Sequence, residues 1–527
     1  MTHINTIQRN DGWVFACYKL LFIFSFFILS TVSALSATGE VPPPSWPEFD
    51  NVVYTNPGVS TKVGHIPFTD CRVSDPSGTR HRNLECGWFE VPEDYSRSEG
   101  KKITLFIGRL KATGNKAEED PLILIEGGPG GAPSESFIFP GRGFDKIQQQ
   151  RDTYLIDQRG TGKSNPLRCP TLTEFAFDYS AEEIGDLTRD CLAQLPGEPK
   201  FYTTSVAVKD LDRVREALGV ARWNIYGVSY GSRVAQHYLR RFPEATRTVI
   251  LDGVVYPSLN LGPDIALQSQ RALRQLIDRC AVSEECHRHY PDLEGGINRL
   301  FTQLKNNPLT VEVNNFSTGR KETIEFTELH LVAVVRFALY SPASAAILPV
   351  MLHEAYANNN FEPLARNALE YSTMLENAIS IGMHNSVICT EDIPFIDVTV
   401  LNTSALQNTY MGTEAIDSIL AMCDVWPTGI LDKDFKLPVV SDTPVLLLSG
   451  GADPITPPEY AQQAAEQLGN SKHIVVPGHG HGISYLGCVP ILMAKFIENA
   501  SVDNLQNDCL EKQKPDPFFI DFNGPAP

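Results

Sequence analysis

The chain has 527 residues, 42% of them hydrophobic and 20% charged, with Lys+Arg 44 against Asp+Glu 63 and a net charge of -19. That composition supplies a large core and excludes general disorder. The acidic surface argues against nucleic acid or anionic lipid as the main partner. A single long apolar stretch excludes a polytopic membrane protein.

That stretch comes first in chain order. Residues 20–29 read LLFIFSFFIL, preceded by Lys19 and followed by small residues. A short apolar run before a small-residue site is the pattern of a secretory leader, and Val32-Ser33-Ala34 fits a cleavage site. An uncleaved anchor is the alternative, since 20–37 is just long enough to span a bilayer. Both readings of 1–37 place the rest of the chain outside the cytoplasm, in periplasm or medium, with membrane contact only if the leader stays. The cysteines agree with export. Of 11, Cys17 precedes the leader core, and ten remain in neighbouring couples: Cys71 and Cys86, Cys169 and Cys191, Cys280 and Cys286, Cys389 and Cys423, Cys488 and Cys509. In an oxidising compartment such couples become disulfides, and neighbour pairing closes the shortest loops. Zinc is the competing reading, but no CxxC pair with matching histidine spacing occurs.

Residues 38–66, rich in proline and polar side chains, read as a linker. Short apolar runs follow at 103–110, 121–125, 153–156, 223–226 and 248–251, and again at 444–448. Near-continuous apolar strands of this kind suit a parallel sheet covered on both faces. Helical patterns at 206–218, stopped by Gly219, and at 232–242, stopped by Pro243, alternate with them. The alternation predicts an α/β doubly wound core. Between 257 and 438 the rhythm gives way to helical patterns at 266–304, 325–340, 343–358 and 363–381. The organisation expected is a core over 67–256, a helical insertion over 257–438 and the rest of the core over 439–527. Sequons stand at Asn315, Asn402 and Asn499.

The chemistry concentrates in four loops. Gly227-Val228-Ser229-Tyr230-Gly231 is a G-x-S-x-G between a strand and a helix, the setting of a nucleophile elbow. An alcohol nucleophile needs a base, and the base an orienting acid. Asp453 lies just past the strand 444–448, with Asp252, after the preceding strand, as the rival acid. The histidine loop 477–482 offers His481 and His479 at nearly equivalent spacing. An oxyanion hole needs N–H donors. Tyr230, after the nucleophile, supplies one, and Gly127 or Gly128 in the glycine loop 127–131 the other. The turn 157–164 reads as structural, with an Asp157–Arg159 pair bracing that glycine loop.

Together GGPGG (127–131), DQRGTGKS (157–164), GVSYGS (227–232), GADPITPPEYAQQAA (451–465) and VPGHGHG (476–482) resemble the proline iminopeptidase and tripeptidyl aminopeptidase group of α/β-hydrolases. The resemblance covers 71–509, most weakly in the insertion, and the segment 443–509 is similar to the tripeptidyl-aminopeptidase-type C-terminal part. It implies an α/β-hydrolase fold, a mostly parallel sheet with an inserted, mainly helical cap. It also implies His481 as base and Asp453 as acid. Glu126 departs from the histidine that proline iminopeptidases usually carry before GGPG. The expected activity is an exported serine hydrolase that trims peptides from the N-terminus, needing no metal or organic cofactor. Alternatives are an esterase or amide hydrolase for small acyl compounds and a non-catalytic binding protein. Trimming chain ends requires a carboxylate for the substrate ammonium. The core motifs spare none, so Glu391 first and Asp392 second are expected to supply it from the cap. The sequence does not determine the oligomeric state.

Overall fold

The computed structural model describes residues 52–526, apart from 57, 76–77, 98, 139–142, 170–180 and 315–318. The leader 1–37, the first part of the expected linker and the Asn315 sequon lie outside the described residues. Eleven strands form the main sheet: β1 Val52–Tyr54, β2 Ser60–Val63, β3 Ile66–Ser74, β4 His81–Pro92, β5 Lys102–Leu110, β6 Leu122–Ile125, β7 Thr153–Ile156, β8 Trp223–Val228, β9 Thr246–Asp252, and, after the insertion with its hairpin of β10 Leu309–Asn314 and β11 Lys321–Phe326, β12 Val445–Gly450 and β13 Ser471–Val476. The order is β1-β3-β4-β5-β7-β6-β8-β9-β12-β13, with β2 on β3.

From β7 onward every neighbouring pair is parallel, while β3, β4, β5 and β7 pair antiparallel. The physical reason is visible in the strands. All residues of β6, β7 and β12 are buried, as a sheet covered on both faces requires. In β3 exposed and buried positions partly alternate. Two of the strands, β1 and β2, lie in the stretch expected to be a linker. They pair antiparallel with β3, so chain from 52 onward is part of the sheet. Cys71–Cys86 ties β3 to β4.

The helices of the core form where the pattern placed them. Thr204–Leu218 ends at Gly219, whose φ of 72° is the left-handed cap that favours glycine. Tyr230–Arg241 stops two residues before Pro243. The insertion is mainly helical, as expected, and has an apolar core of its own, built from residues such as Leu276, Leu300, Val334 and Leu352. It differs from expectation in the hairpin. Residues 321–326 were expected to enter a helix at 325, but they alternate exposed and half-buried positions and pair with β10. The helix Glu328–Ala338 begins afterwards, capped by Thr327. The chain's last described stretch packs on this second core. Phe518 is buried within it, and the Tyr290 hydroxyl donates to the Phe519 carbonyl at 2.9 Å. All ten cysteines outside the leader are bridged, as Cys71–Cys86, Cys169–Cys191, Cys280–Cys286, Cys389–Cys423 and Cys488–Cys509. Among the described residues no helix is long and apolar enough to cross a membrane.

Candidate active site

The elbow is built by β8 running straight into the helix Tyr230–Arg241. Ser229, between them, has φ 55° and ψ -128°, a conformation that costs a non-glycine residue roughly 1–3 kcal/mol. Two glycines make room for it. A Cβ on Gly227 would stand 2.2 Å from the Gly231 carbonyl, and one on Gly231 would stand 2.4 Å from the Ile125 carbonyl. The Ser229 N–H donates to the Asp252 carbonyl at 2.9 Å, which ties the elbow to the end of β9.

Asp453 and His481 come together from the loops after β12 and β13. His481 Nδ1 lies 2.7 Å from Asp453 Oδ2. The fully buried carboxylate also accepts the N–H groups of Ile455 and Thr456 on Oδ1 and the Thr456 hydroxyl on Oδ2, each at 2.8 Å. Burial alone would raise the Asp453 pKa; the His481 charge and these donors hold it below 3.8. Burial alone would lower that of His481; the Asp453 charge, with smaller contributions from Asp252 and Glu126, holds it above 6.5. With Nδ1 bound to the acid, Nε2 is the nitrogen left for a reacting proton.

The two rivals hold other positions. His479 is buried, its Nδ1 3.1 Å from the Pro477 carbonyl. Asp252 accepts the N–H groups of Ile483 and Ser484 and the Tyr226 hydroxyl. It therefore anchors the chain just after His481, and its burial raises its pKa.

The glycine loop lies against Ser229. A Cβ on Gly127 would meet Ser229 Cβ at 2.8 Å. The Gly127 N–H, however, donates to Glu126 Oε1 at 2.9 Å. Of the two glycines, Gly128 thus has the N–H that Glu126 does not engage. Tyr230 is the first residue of its helix, where an N–H has no carbonyl one turn behind it. The turn 157–164 holds the helix Pro133–Ser136 that follows this loop, and without the Asp157–Arg159 pair that was expected. Asp157 accepts the N–H and hydroxyl of Ser134, at 3.0 and 2.8 Å. Arg159 turns away to Asp210, at 2.6 and 2.7 Å, and to the carbonyls of Glu93 and Phe201.

Glu391 and Asp392 face inward rather than toward a substrate. Both are fully buried. Glu391 accepts the Thr204 N–H at 2.7 Å and the Thr204 hydroxyl at 2.9 Å. That hydroxyl oxygen lies 2.6 Å from the Tyr230 hydroxyl, which makes Glu391 a brace behind the elbow. Asp392 takes both Arg233 guanidinium nitrogens, at 3.0 and 2.9 Å, the Leu261 N–H and the Lys436 ammonium. Their charge cluster, which suggested a waiting cation site, has its cations inside the protein: Arg233 and Lys436.

What does adjoin Ser229 is a cavity of about 170 Å³, roofed by the cap. Ser229 and Gly128 lie on its wall, with Tyr340, His384 and Asn385 among the polar residues and isoleucines, leucines and methionines over most of the rest. No Asp or Glu is among its described lining residues. Sequence reasoning missed Thr456, Tyr340 and Asn385. Thr456 had a signal, a hydroxyl three residues after the acid, in reach of its own turn. Tyr340 had none. Its carbonyl accepts the His481 N–H at 2.8 Å and its ring stands edge-on to the imidazole at 5.1 Å, contacts across 141 residues.

The topology and the strand-elbow-helix geometry define an α/β-hydrolase fold, and a model for the alpha/beta hydrolase fold matches residues 120–278. A second model, TAP-like protein, matches 408–509, so the chain is similar to the tripeptidyl aminopeptidase group in its C-terminal part. Three relatives agree with this likeness. Tripeptidyl aminopeptidase of Streptomyces lividans is 31% identical over 36% of this chain and 40% of its own length. Serine protease Hip1 of Mycobacterium tuberculosis (strain ATCC 25618 / H37Rv) is 31% identical over 37% and 41%. Proline iminopeptidase of Aeromonas sobria is 25% identical over 46% and 52%. The matched part thus spans about two fifths to half of each relative.

Proposed function

We propose that the protein is an exported serine hydrolase that cleaves N-terminal residues or short peptides from peptide substrates through an acyl-enzyme. The observation that carries this is the 2.7 Å contact between Asp453 and His481 Nδ1, on loops beside a strained Ser229 elbow. In this reading Ser229 Oγ bonds to the scissile carbonyl carbon as its proton passes to His481 Nε2. The C–N bond breaks and that proton leaves with the amine. Water then repeats the cycle, restoring Ser229 and giving the free acid. Asp453 holds the tautomer and stabilises the imidazolium. The N–H groups of Tyr230 and Gly128 receive the oxyanion; each such donor is worth roughly a hundred- to a thousandfold in rate. The names of the three peptidase relatives support peptides as substrates. The paired cysteines and the apolar leader support export.

The acid-free, apolar cavity favours a second reading, an esterase or amide hydrolase for small acyl compounds. Labelling with a fluorophosphonate, lost in Ser229→Ala, tests the nucleophile. Hydrolysis of free against N-acetylated peptides separates the two activities: a preference for the free amine supports the peptidase, and equal rates support the esterase.

A further inference from the structure

We infer that the cavity beside Ser229 is an acyl-side subsite for an apolar, non-cationic side chain, with Asn385 as the polar group that grips the substrate's amide backbone. This rests on the reading of Ser229 as nucleophile. The side chain meant is that of the residue whose carbonyl Ser229 attacks.

Three observations converge. The first is position: Ser229 and Gly128, the nucleophile and a proposed oxyanion donor, are themselves part of the wall. Whatever fills the cavity is therefore covalently close to the carbonyl under attack. The second is the wall's chemistry. Leu261, Ile265, Ile388, Leu406, Met411 and Ile416 give an apolar surface. The described lining has no carboxylate. A buried ammonium without a counter-ion is costly. Glu391 and Asp392 cannot relieve that cost, because Arg233, Lys436 and Thr204 occupy them. A substrate's free amine, where there is one, must stay outside this cavity.

The third is Asn385. It lines the cavity, is 1% exposed, and its Nδ2 has no hydrogen-bond partner. A buried amide left unpaired is unfavourable, so an occupant that pairs it is held more tightly. It stands on the helix Ile381–Glu391, which Cys389–Cys423 and the Glu391 contacts hold in place. A half-turn about its last side-chain bond exchanges oxygen for nitrogen, so it can serve a peptide C=O or N–H. A peptide-like substrate offers both, and a simple alkyl ester has neither beyond the reacting carbonyl.

The test measures kcat/KM on Ala-Ala-Leu-, Ala-Ala-Phe- and Ala-Ala-Lys-4-nitroanilides with free N-termini and on 4-nitrophenyl butyrate. The proteins are wild type, Asn385→Leu and Ser418→Asp, each also labelled with a fluorophosphonate. The wild type should favour Leu and Phe over Lys by about a hundredfold. Asn385→Leu should lower the ratio of anilide to butyrate kcat/KM about three- to tenfold, a split that a merely structural role would not produce. Ser418→Asp, which places an acid on the partly exposed wall, should raise the Lys rate about tenfold or more. Lys substrates cleaved as well as Leu, or Asn385→Leu slowing anilide and ester equally, would overturn the inference. If the wild type labels but shows no apolar preference, the inference fails and the nucleophile reading stands; if it does not label, both fail.

Discussion

At the scale of single residues, the proposed reaction depends on Asp453 and His481, whose settings shift them in opposite directions. Ser229→Ala or His481→Ala should lower kcat by several orders of magnitude and leave the far-ultraviolet spectrum intact, because such residues act as one unit. His479→Ala should not. In the proposed reaction His481 acts as the neutral imidazole, and its pKa stands above 6.5 because of Asp453. Hence kcat/KM should fall as pH drops through a value above 6.5. In Asp453→Asn the remaining activity should lose this acid limb at a lower pH. A pH–rate profile of both proteins checks the direction. Glu391 gives a separate signature. Burial pushes its carboxyl up from 4.5 to about 7, the Arg233 charge offsetting only part of this. The unfolded chain releases that proton more easily, so this group lowers stability as pH rises from 4.5 through 7. Glu391→Gln keeps an acceptor for the Thr204 N–H and has no proton to lose. Thermal melts between pH 5 and 8 should show that decline flattened in the variant, with its KM for peptides within about twofold of wild type.

At the scale of elements, the Cys389–Cys423 bridge joins two cap helices, Ile381–Glu391 and Glu414–Cys423, that both contribute to the cavity wall. Replacing both cysteines by serine should cost about 2–4 kcal/mol in denaturant unfolding. It should also raise KM, since the wall loses its tie. Cys280–Cys286, far from Ser229 in the fold's own second core, should change stability without changing KM. The strands teach a related lesson. Apolar runs in β6, β7 and β12 were legible because both faces are covered. The antiparallel strands β1 to β4 were not, because exposed and half-buried positions interrupt their buried ones and break the apolar run.

At the scale of the molecule, two apolar cores meet at the site: the sheet with its helices holds Ser229, Asp453 and His481, and the cap lies over Ser229. The chain's last described stretch belongs to the second of these, although its position in sequence follows the first. Phe518, 6% exposed, sits in the cap core with the Arg279 guanidinium 4.0 Å above its ring. Phe518→Ala should destabilise the protein by about 3 kcal/mol, read as a lower denaturant midpoint. Loss of cap packing should weaken substrate binding more than it slows fluorophosphonate labelling of Ser229.

By itself the sequence determined the α/β alternation, the elbow at Ser229 and the setting of the cysteines in neighbouring couples, though not their connectivity. Those features are local, written in runs, glycines and spacings of a few residues. It also brought Asp453, Asp252, His481 and His479 to candidacy without deciding among them by spacing. Only the tertiary structure decided which carboxylate meets which imidazole, because that depends on the order of β9, β12 and β13 across the sheet. It likewise decided that Glu391 and Asp392 serve Thr204, Tyr230 and Arg233 rather than a ligand. A cluster of acids reads the same in sequence whether its cations come from a substrate or from a helix 150 residues away. The direction in which a buried charge faces is a property of packing, and packing joins residues that no local pattern connects.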